Sequence, residues 1–433
     1  MGVFVIRAYK LVICGGGPAG ISPLVSLHER GLLDDLLDQG VCIIEASSKI
    51  GSGSISNYQI TANSLGKIFF EVFNEVESSL LKFLKKKESY YELCKYNESA
   101  PPLPIVGQFL EDIGDYISSR VKSSLKSNVL KLTKVTSIKV REDGLYEITY
   151  SSIFHPFLKE TVIAEKVFFN LGGDQQKHYN KFSEELNVPL INSGEFIKGV
   201  YDNKLTDLLE KGENSTITLV GGSHSTFSTL YRFKNHFHIL NNDLYTINIL
   251  HRKPIKLFYN STDEAMLDNY NFSKMDVCPA SDRVNRYSGL RYDSFNLAKE
   301  VFENKYSNVY LKELEEIRQD DLKDSNLIIE CTGYTSRSVP LLDKNSKPLE
   351  FSYQDNKIKI NEFCNPILSN GKELKGFYQF GLGAGLSTGG NNFGEKSYKG
   401  RIDGVWVYQH LVTEKMLSQN LFYENDLIEI SNK

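Results

Sequence analysis

The residues whose types and spacing could do chemistry are glycines, and they occur twice in one setting. Residues 10–14 (KLVIC) read as a short buried strand, Gly15-Gly16-Gly17-Pro18-Ala19-Gly20 follows, and residues 21–30 read as a helix. This is the arrangement that holds a dinucleotide's pyrophosphate. Gly15 lets the chain turn sharply out of the strand, Gly17 leaves no side chain between a phosphate and the amides at the helix start, and Gly20 lets helix and strand pack closely. Residues 41–44 (VCII) read as the next strand, ending at Glu45. That carboxylate can accept hydrogen bonds from a ribose diol, near the usual spacing of about 20 residues. Spacing alone allows either FAD or a nicotinamide dinucleotide.

The second motif is looser. Residues 216–220 (TITLV) lead into Gly221-Gly222-Ser223-His224-Ser225-Thr226 and a helix to about residue 240. Ser223 and Thr226 replace the second and third glycines, so the backbone cannot approach a phosphate as closely. The next strand, 245–250, ends at His251-Arg252-Lys253. A carboxylate there would repel a 2′-phosphate, whereas Arg252 and Lys253 can pair with it, which favours NADPH over NADH. A solvated turn at 251–253, or a domain that binds no nucleotide, stays open at this point.

Composition narrows the class. In 433 residues, 50 Lys and Arg stand against 54 Asp and Glu, a net charge of −4. Binding to nucleic acid or a membrane surface in general wants a basic excess, so neither is expected. Six cysteines, with no Cys-x-x-Cys pair, argue against a disulfide scaffold, a zinc knuckle and a dithiol redox centre. A reducing cytoplasm is the expected location. No apolar run is long enough to span a bilayer, the start is too short for a signal peptide, and Ile6 stands where a myristoylation signal wants Ser or Thr. His236 and His238 read as lying on a helix, two apart and so on different faces, and no metal is expected.

These motifs need elements to position them. A Gly/Ser-rich loop spans 51–56; helices are expected at 65–84, 107–125, 295–306 and 399–416; strands at 129–140, 145–150, 161–170 and 326–329. A helical, polar insertion is expected from about 256 to 290. Its core, 260–291, suits a substrate pocket or an oligomer contact.

Four pieces resemble one family, the class B flavin monooxygenases, and within it the N-hydroxylating enzymes that oxidise amines such as ornithine and lysine. They are Gly15 to Gly20; VGGSHS at 220–225; DSNLIIECTGYTSRSVP at 324–340, with Cys331 in place of an alanine; and Tyr378-Gln379 followed by Gly385-Leu386-Ser387. The resemblance implies FAD in the first site and NADPH in the second. It implies an α/β fold of two Rossmann-like (FAD/NAD(P)-binding, three-layer ββα) domains, the second inserted into the first. Residues 1–175 and 325–433 would bind FAD and 215–324 NADPH, with 176–214 as a linker. Cofactor contacts are expected at Gly333, Tyr334, Gly383, Gly385 and Leu386, and flavin-edge or substrate contacts at Gln59 and Asn63. The implied reaction uses O2 and a C4a-(hydro)peroxyflavin to oxygenate a small nucleophile, an amine in the first instance. The rivals are an FAD-dependent NAD(P)H dehydrogenase and a flavin-binding protein without turnover. A homo-oligomer is left open.

Overall fold

A computed structural model describes residues 7–74, 78–209, 214–354, 357–387 and 394–419. The chain start, with Ile6, lies outside the described residues.

The first glycine motif grows out of strand Ala8–Cys14, which pairs in parallel with Val41–Ile44 on one side and with Lys159–Phe169 on the other. Val41–Ile44 is followed in the sheet by Asn128–Leu130, and the second half of Lys159–Phe169 also takes Phe377–Gln379 in parallel. The strand's period of two splits its side chains between layers. Leu11 and Ile13 face helices Pro18–Glu29 and Leu103–Ser123, meeting Ile21, Leu24, Phe109 and Ile113. Val12 and Cys14 face an antiparallel meander, Thr133–Val140 to Tyr146–Ser152 to Lys159–Phe169, meeting Val135, Ile138 and Ile148. Helices, parallel sheet and meander are the three layers expected.

The second motif sits in a separate five-stranded sheet, all parallel. Its order is Val309–Glu313, Tyr245–His251, Ser215–Val220, Leu327–Glu330, Leu190–Asn192. One face packs on helix His224–Asn235 through Phe227, Leu230 and Phe233, and the other on Leu186, Ile317 and Leu322. This moves both domain boundaries. The expected linker, 176–214, contributes strand Leu190–Asn192 and three helices, Asn180–Leu186, Ser193–Phe196 and Asp202–Leu209. The return to the first domain comes after Glu330, not at 325, because Leu327–Glu330 pairs with Ser215–Val220.

Other expectations change for identifiable reasons. The helix expected at 65–84 is a 3-10 turn, Gly66–Phe69, and a separate helix, Ser79–Leu84. Gly66 is pressed on Tyr96, whose carbonyl takes its N–H at 2.9 Å, and Ser78 caps the new helix through Leu81 N. The strand expected at 129–140 breaks at Leu132, which has φ of 53°. Within the insertion only Thr262–Leu267 and the 3-10 turn Lys274–Asp276 are helical; isolated bridges such as Leu257 to Leu290 and Tyr259 to Val284 hold the remainder. The last helix starts at Val405, later than expected, and carries a π segment at Tyr408–Val412. His236 and His238 lie past the end of helix His224–Asn235, with His238 at φ of 54°. No helix among the described residues is long and apolar enough to cross a membrane.

One contact ties the loop after Glu45 to the core. A β-carbon on Gly114 would lie 2.0 Å from Ile50 O, and one on Gly51 would lie 1.9 Å from Leu110 O. Both obstacles are backbone, so relief requires moving a helix. Gly114→Ala is expected to cost about 2–4 kcal/mol, read as a lower urea midpoint. Gly144→Ala, with open space but φ of 79°, should cost about 1 kcal/mol.

Candidate active site

The first glycine loop has two kinds of glycine. Gly15 (φ 101°) and Gly20 are dictated by the protein itself: a β-carbon would meet Asn170 O at 2.2 Å in one case and Gly15 O at 2.0 Å in the other. Gly17 is different. Its φ is −74°, and a β-carbon would touch only Gly53, at an ordinary 3.5 Å. The fold therefore does not itself require glycine there. Pro18 opens the helix as its first residue, costing no hydrogen bond, and Ala19 faces Gly381 across the cleft. Glu45 accepts from Gly16 N at 2.7 Å and Ser47 N at 2.8 Å, which fixes the carboxylate at the cleft wall. Asn170 Oδ1 is buried there with no hydrogen-bond partner among the described residues. Free backbone amides at a helix start, an anchored acid and an unpaired amide oxygen fit a dinucleotide.

The second loop repeats the plan. Gly221 (φ 140°) passes so close to Cys331 that a β-carbon would lie 2.5 Å from its carbonyl, and Gly222 abuts His251. Ser223, exposed, is the N-cap, and Ser225 also faces the cleft. Thr226 is fully buried, with an unpaired hydroxyl, where the first loop has Gly20. Burial, reinforced by the Arg291 guanidinium, pushes the His224 imidazole down to about 4. It is neutral at ordinary pH and cannot act there as an acid. Arg252 and Lys253 are exposed on the same wall, and neither has a salt-bridge partner among the described residues.

Between the loops, Asn63, Gly333, Tyr334 and Gly383 line the cleft. Gly333 (φ 91°) has open space around it. Tyr334 meets the Tyr58 hydroxyl at 3.2 Å, and burial together with Tyr58 raises its phenol. Three expected residues do not reach the cleft. Gln59 turns its amide to Arg232, at 2.9 Å, because that buried guanidinium needs acceptors. A β-carbon on Gly385 would lie 1.8 Å from Ile402 O, so this glycine serves strand packing, and Leu386 belongs to the helix-side core.

Other groups at the cleft carried no local sequence signal. Arg337 pairs with Asp174 through Nε, at 3.0 Å, and through its Nη2. Thr332 of the cleft wall donates through Oγ1, at 2.8 Å, to Glu330, which is buried at the end of its strand, does not itself line the cleft, and also accepts from His178 Nδ1 at 2.6 Å and His178 N at 3.0 Å. The insertion supplies Arg283, Arg286, Tyr287, Arg291 and Tyr292. Among the described residues no group of three His, Cys, Asp or Glu side chains could hold a metal.

All of this surrounds one cleft of about 2920 Å³, several times the 300–1,000 Å³ of an ordinary ligand pocket. It has room for two dinucleotides and a substrate. No protein-family model matches the chain. A CMP-5'-(3-aminopropyl)phosphonate hydroxylase from Streptomyces rubellomurinus is 29% identical over 422 residues, 93% of this chain and 95% of the relative. The FAD-bound cadaverine monooxygenase of desferrioxamine biosynthesis from Erwinia amylovora superimposes with a TM-score of 0.59 at 13% identity, covering 97% of this chain and 96% of that one. Ornithine hydroxylase from Pseudomonas aeruginosa gives 0.59 at 11%, covering 96% and 99%. The chain has the fold of the N-hydroxylating flavin monooxygenases. The resemblance read from four short motifs thus extends over nearly the whole chain.

The two kinds of glycine give a test. Gly17→Ala should leave the melting of flavin-free protein unchanged yet weaken FAD binding about tenfold or more, or 1.4 kcal/mol, read as flavin absorbance per protein on titration. Gly20→Ala should lower the melting temperature of the flavin-free protein itself.

Proposed function

We propose that this chain is an FAD- and NADPH-dependent monooxygenase that places one oxygen atom on the nitrogen of a primary amine. The observation that carries the reading is the meeting of two glycine-loop helix starts, from two separate sheets, on one cleft. FAD, held in the first site, would supply the redox chemistry that couples NADPH to O2. NADPH supplies two electrons; one oxygen atom goes to the amine and the other leaves as water.

The protein's part is to bind, orient and keep water out. Gly15 to Gly20 and Glu45 would hold FAD, and Gly221 to Ser225 with Arg252 and Lys253 would hold NADPH. Asn63, Gly333, Tyr334 and Gly383 would close round the reacting edge. The relatives' substrates support the amine: cadaverine, ornithine and an aminopropylphosphonate all present a primary amine. Five of the six thiols are buried and none is paired, which suits a reducing cytoplasm.

The test is NADPH consumption by the FAD-loaded protein with primary amines, with mass detection of the product. Amine-dependent NADPH oxidation and a product heavier by one oxygen atom are expected. NADPH oxidation that needs an added electron acceptor and yields no oxygenated amine would establish the dehydrogenase instead. Arg252→Ala should raise the KM for NADPH about tenfold while leaving that for NADH unchanged, the loss of one charge-assisted phosphate contact.

A further inference from the structure

Three arginines stand within nine residues of the insertion, at 283, 286 and 291, and all three line the cleft. Their segment is rigidly seated. Val284 N bonds Tyr259 O at 3.1 Å, the buried Asn285 side chain donates to Leu257 O at 2.9 Å, and Leu290 N donates to Lys256 O at 2.8 Å. Glu395, from the other domain, pins the turn between them by accepting from Tyr287 N at 3.0 Å, Ser288 N at 2.8 Å and Ser288 Oγ at 2.8 Å.

Two of the three charges have no carboxylate partner among the described residues. Arg291 lies flat on Phe258, 4.0 Å from the ring centroid, and donates to Arg286 O. Arg286 stacks on Tyr287 at 5.1 Å and reaches Cys278 Sγ at 3.4 Å. Neither Arg283 nor Arg291 has a carboxylate within salt-bridge distance among the described residues. Burial, and then the charges of Arg283 and Arg286, push the Arg291 guanidinium below its usual range. The buried Arg232, by contrast, is matched by Asp202. Like charges gathered in a half-buried wall are costly unless an anion arrives to offset them. Tyr287 and Tyr398, stacked at 6.0 Å and 30°, add a flat aromatic face on the same wall.

We propose that Arg283, Arg286 and Arg291 receive a phosphoryl or phosphonyl group of the substrate, so that this enzyme takes an anionic, phosphorylated amine, with Tyr287 and Tyr398 offering the face for an attached base. The inference rests on the monooxygenase reading and adds the substrate class. The NADPH pyrophosphate is a second source of the same chemistry, because Arg291 also acts on His224 of the second glycine loop. The experiment must separate the two.

The probes are inorganic phosphate, 3-aminopropylphosphonate and cytidine 5′-monophosphate, titrated calorimetrically into the FAD-loaded enzyme. Anaerobic flavin reduction is followed against NADPH concentration in parallel. Arg291→Gln and Arg283→Gln are compared with wild type, and Arg283→Lys serves as the conservative variant. Cytidine monophosphate or the phosphonate should bind wild type in a salt-sensitive way. Binding should weaken about tenfold in the Gln variants and partly recover in Arg283→Lys, while the NADPH concentration for half-maximal reduction changes less than about twofold. A rise in that concentration to match the loss of probe binding would assign the arginines to NADPH and overturn the proposal. Failure of all three probes to bind wild type would also overturn it, even if a free diamine is oxygenated, and the monooxygenase reading would then stand. No flavin reduction by NADPH in wild type would instead remove that reading. Arg283 makes no side-chain bond that the fold uses, so its variants keep the test alive if Arg291→Gln does not fold.

Discussion

At Gly15 the chain leaves its strand so close to the neighbouring strand's end that a β-carbon would sit 2.2 Å from Asn170 O. Three backbone bonds lock the crossing: Gly15 N to Ile44 O at 2.9 Å, Asn170 N to Cys14 O at 2.8 Å, and Glu45 N to Leu130 O at 2.9 Å. The same construction recurs in the second sheet, where Gly221 N bonds Leu250 O at 2.8 Å and Cys331 N bonds Val220 O at 2.8 Å. At each crossing the glycine lets the turn drop against the strand end, which points the next helix's free amides into the cleft. Any larger residue would push the loop out and fill the space a phosphate needs.

The two copies then diverge in a way that suits different ligands. In the first, Gly20 brings helix against turn and Gly17 leaves the amides bare, a cradle for a cofactor that stays. In the second, Thr226 and Ser223 keep the side chains that Gly20 and Gly17 lack, and Arg252 and Lys253 stand exposed on the cleft wall. A looser cradle with an open basic rim suits a cofactor that exchanges each turnover. The net charge of −4 conceals this: the basic groups face the cleft on both sides of the second loop, at 252–253 and at 283–291.

What was legible in the sequence was what is local. Strand, glycine turn, helix and acid lie within about one βαβ unit, and each step has one physical cause, so both loops and Glu45 could be placed from residue types. What was hidden depends on pairings across the chain. Leu190–Asn192 is only three residues long, directly follows Pro189 and has no periodicity to read, yet it closes an edge of the small sheet. Glu330 and His178 meet from 152 positions apart. The family resemblance put Gln59 at the flavin, but nothing nearby announces the buried Arg232 that its amide meets. The insertion read as helical and polar, whereas its conformation is set by bridges to Leu257 and Tyr259 and by Glu395 from beyond residue 394.

That misplacement of Gln59 shows how the two domains are held. Arg232 is 2% exposed and donates twice to Asp202, at 2.9 and 2.8 Å, once to Phe196 O and once to Gln59. Gln59 N in turn donates to Ile197 O at 2.8 Å, Tyr58 and Ile60 pack against the second domain's core, and Thr61 donates to Asp293 at 2.6 Å. Residues 58–61 therefore form a strap from the first domain across the second, nailed at its centre by a buried ion pair. Such a pair adds little net stability over an apolar contact of the same shape, but removing one partner is severe, about 3–5 kcal/mol. Its value lies in direction: a bidentate guanidinium accepts one arrangement of Asp202 and Gln59 and rejects neighbouring ones. Hydride transfer and oxygen transfer both need reacting atoms held at fixed separation, and here the two nucleotide loops belong to different sheets. The strap converts two independent sheets into one cleft of set width, which is why an amide expected at the flavin is better placed beneath it.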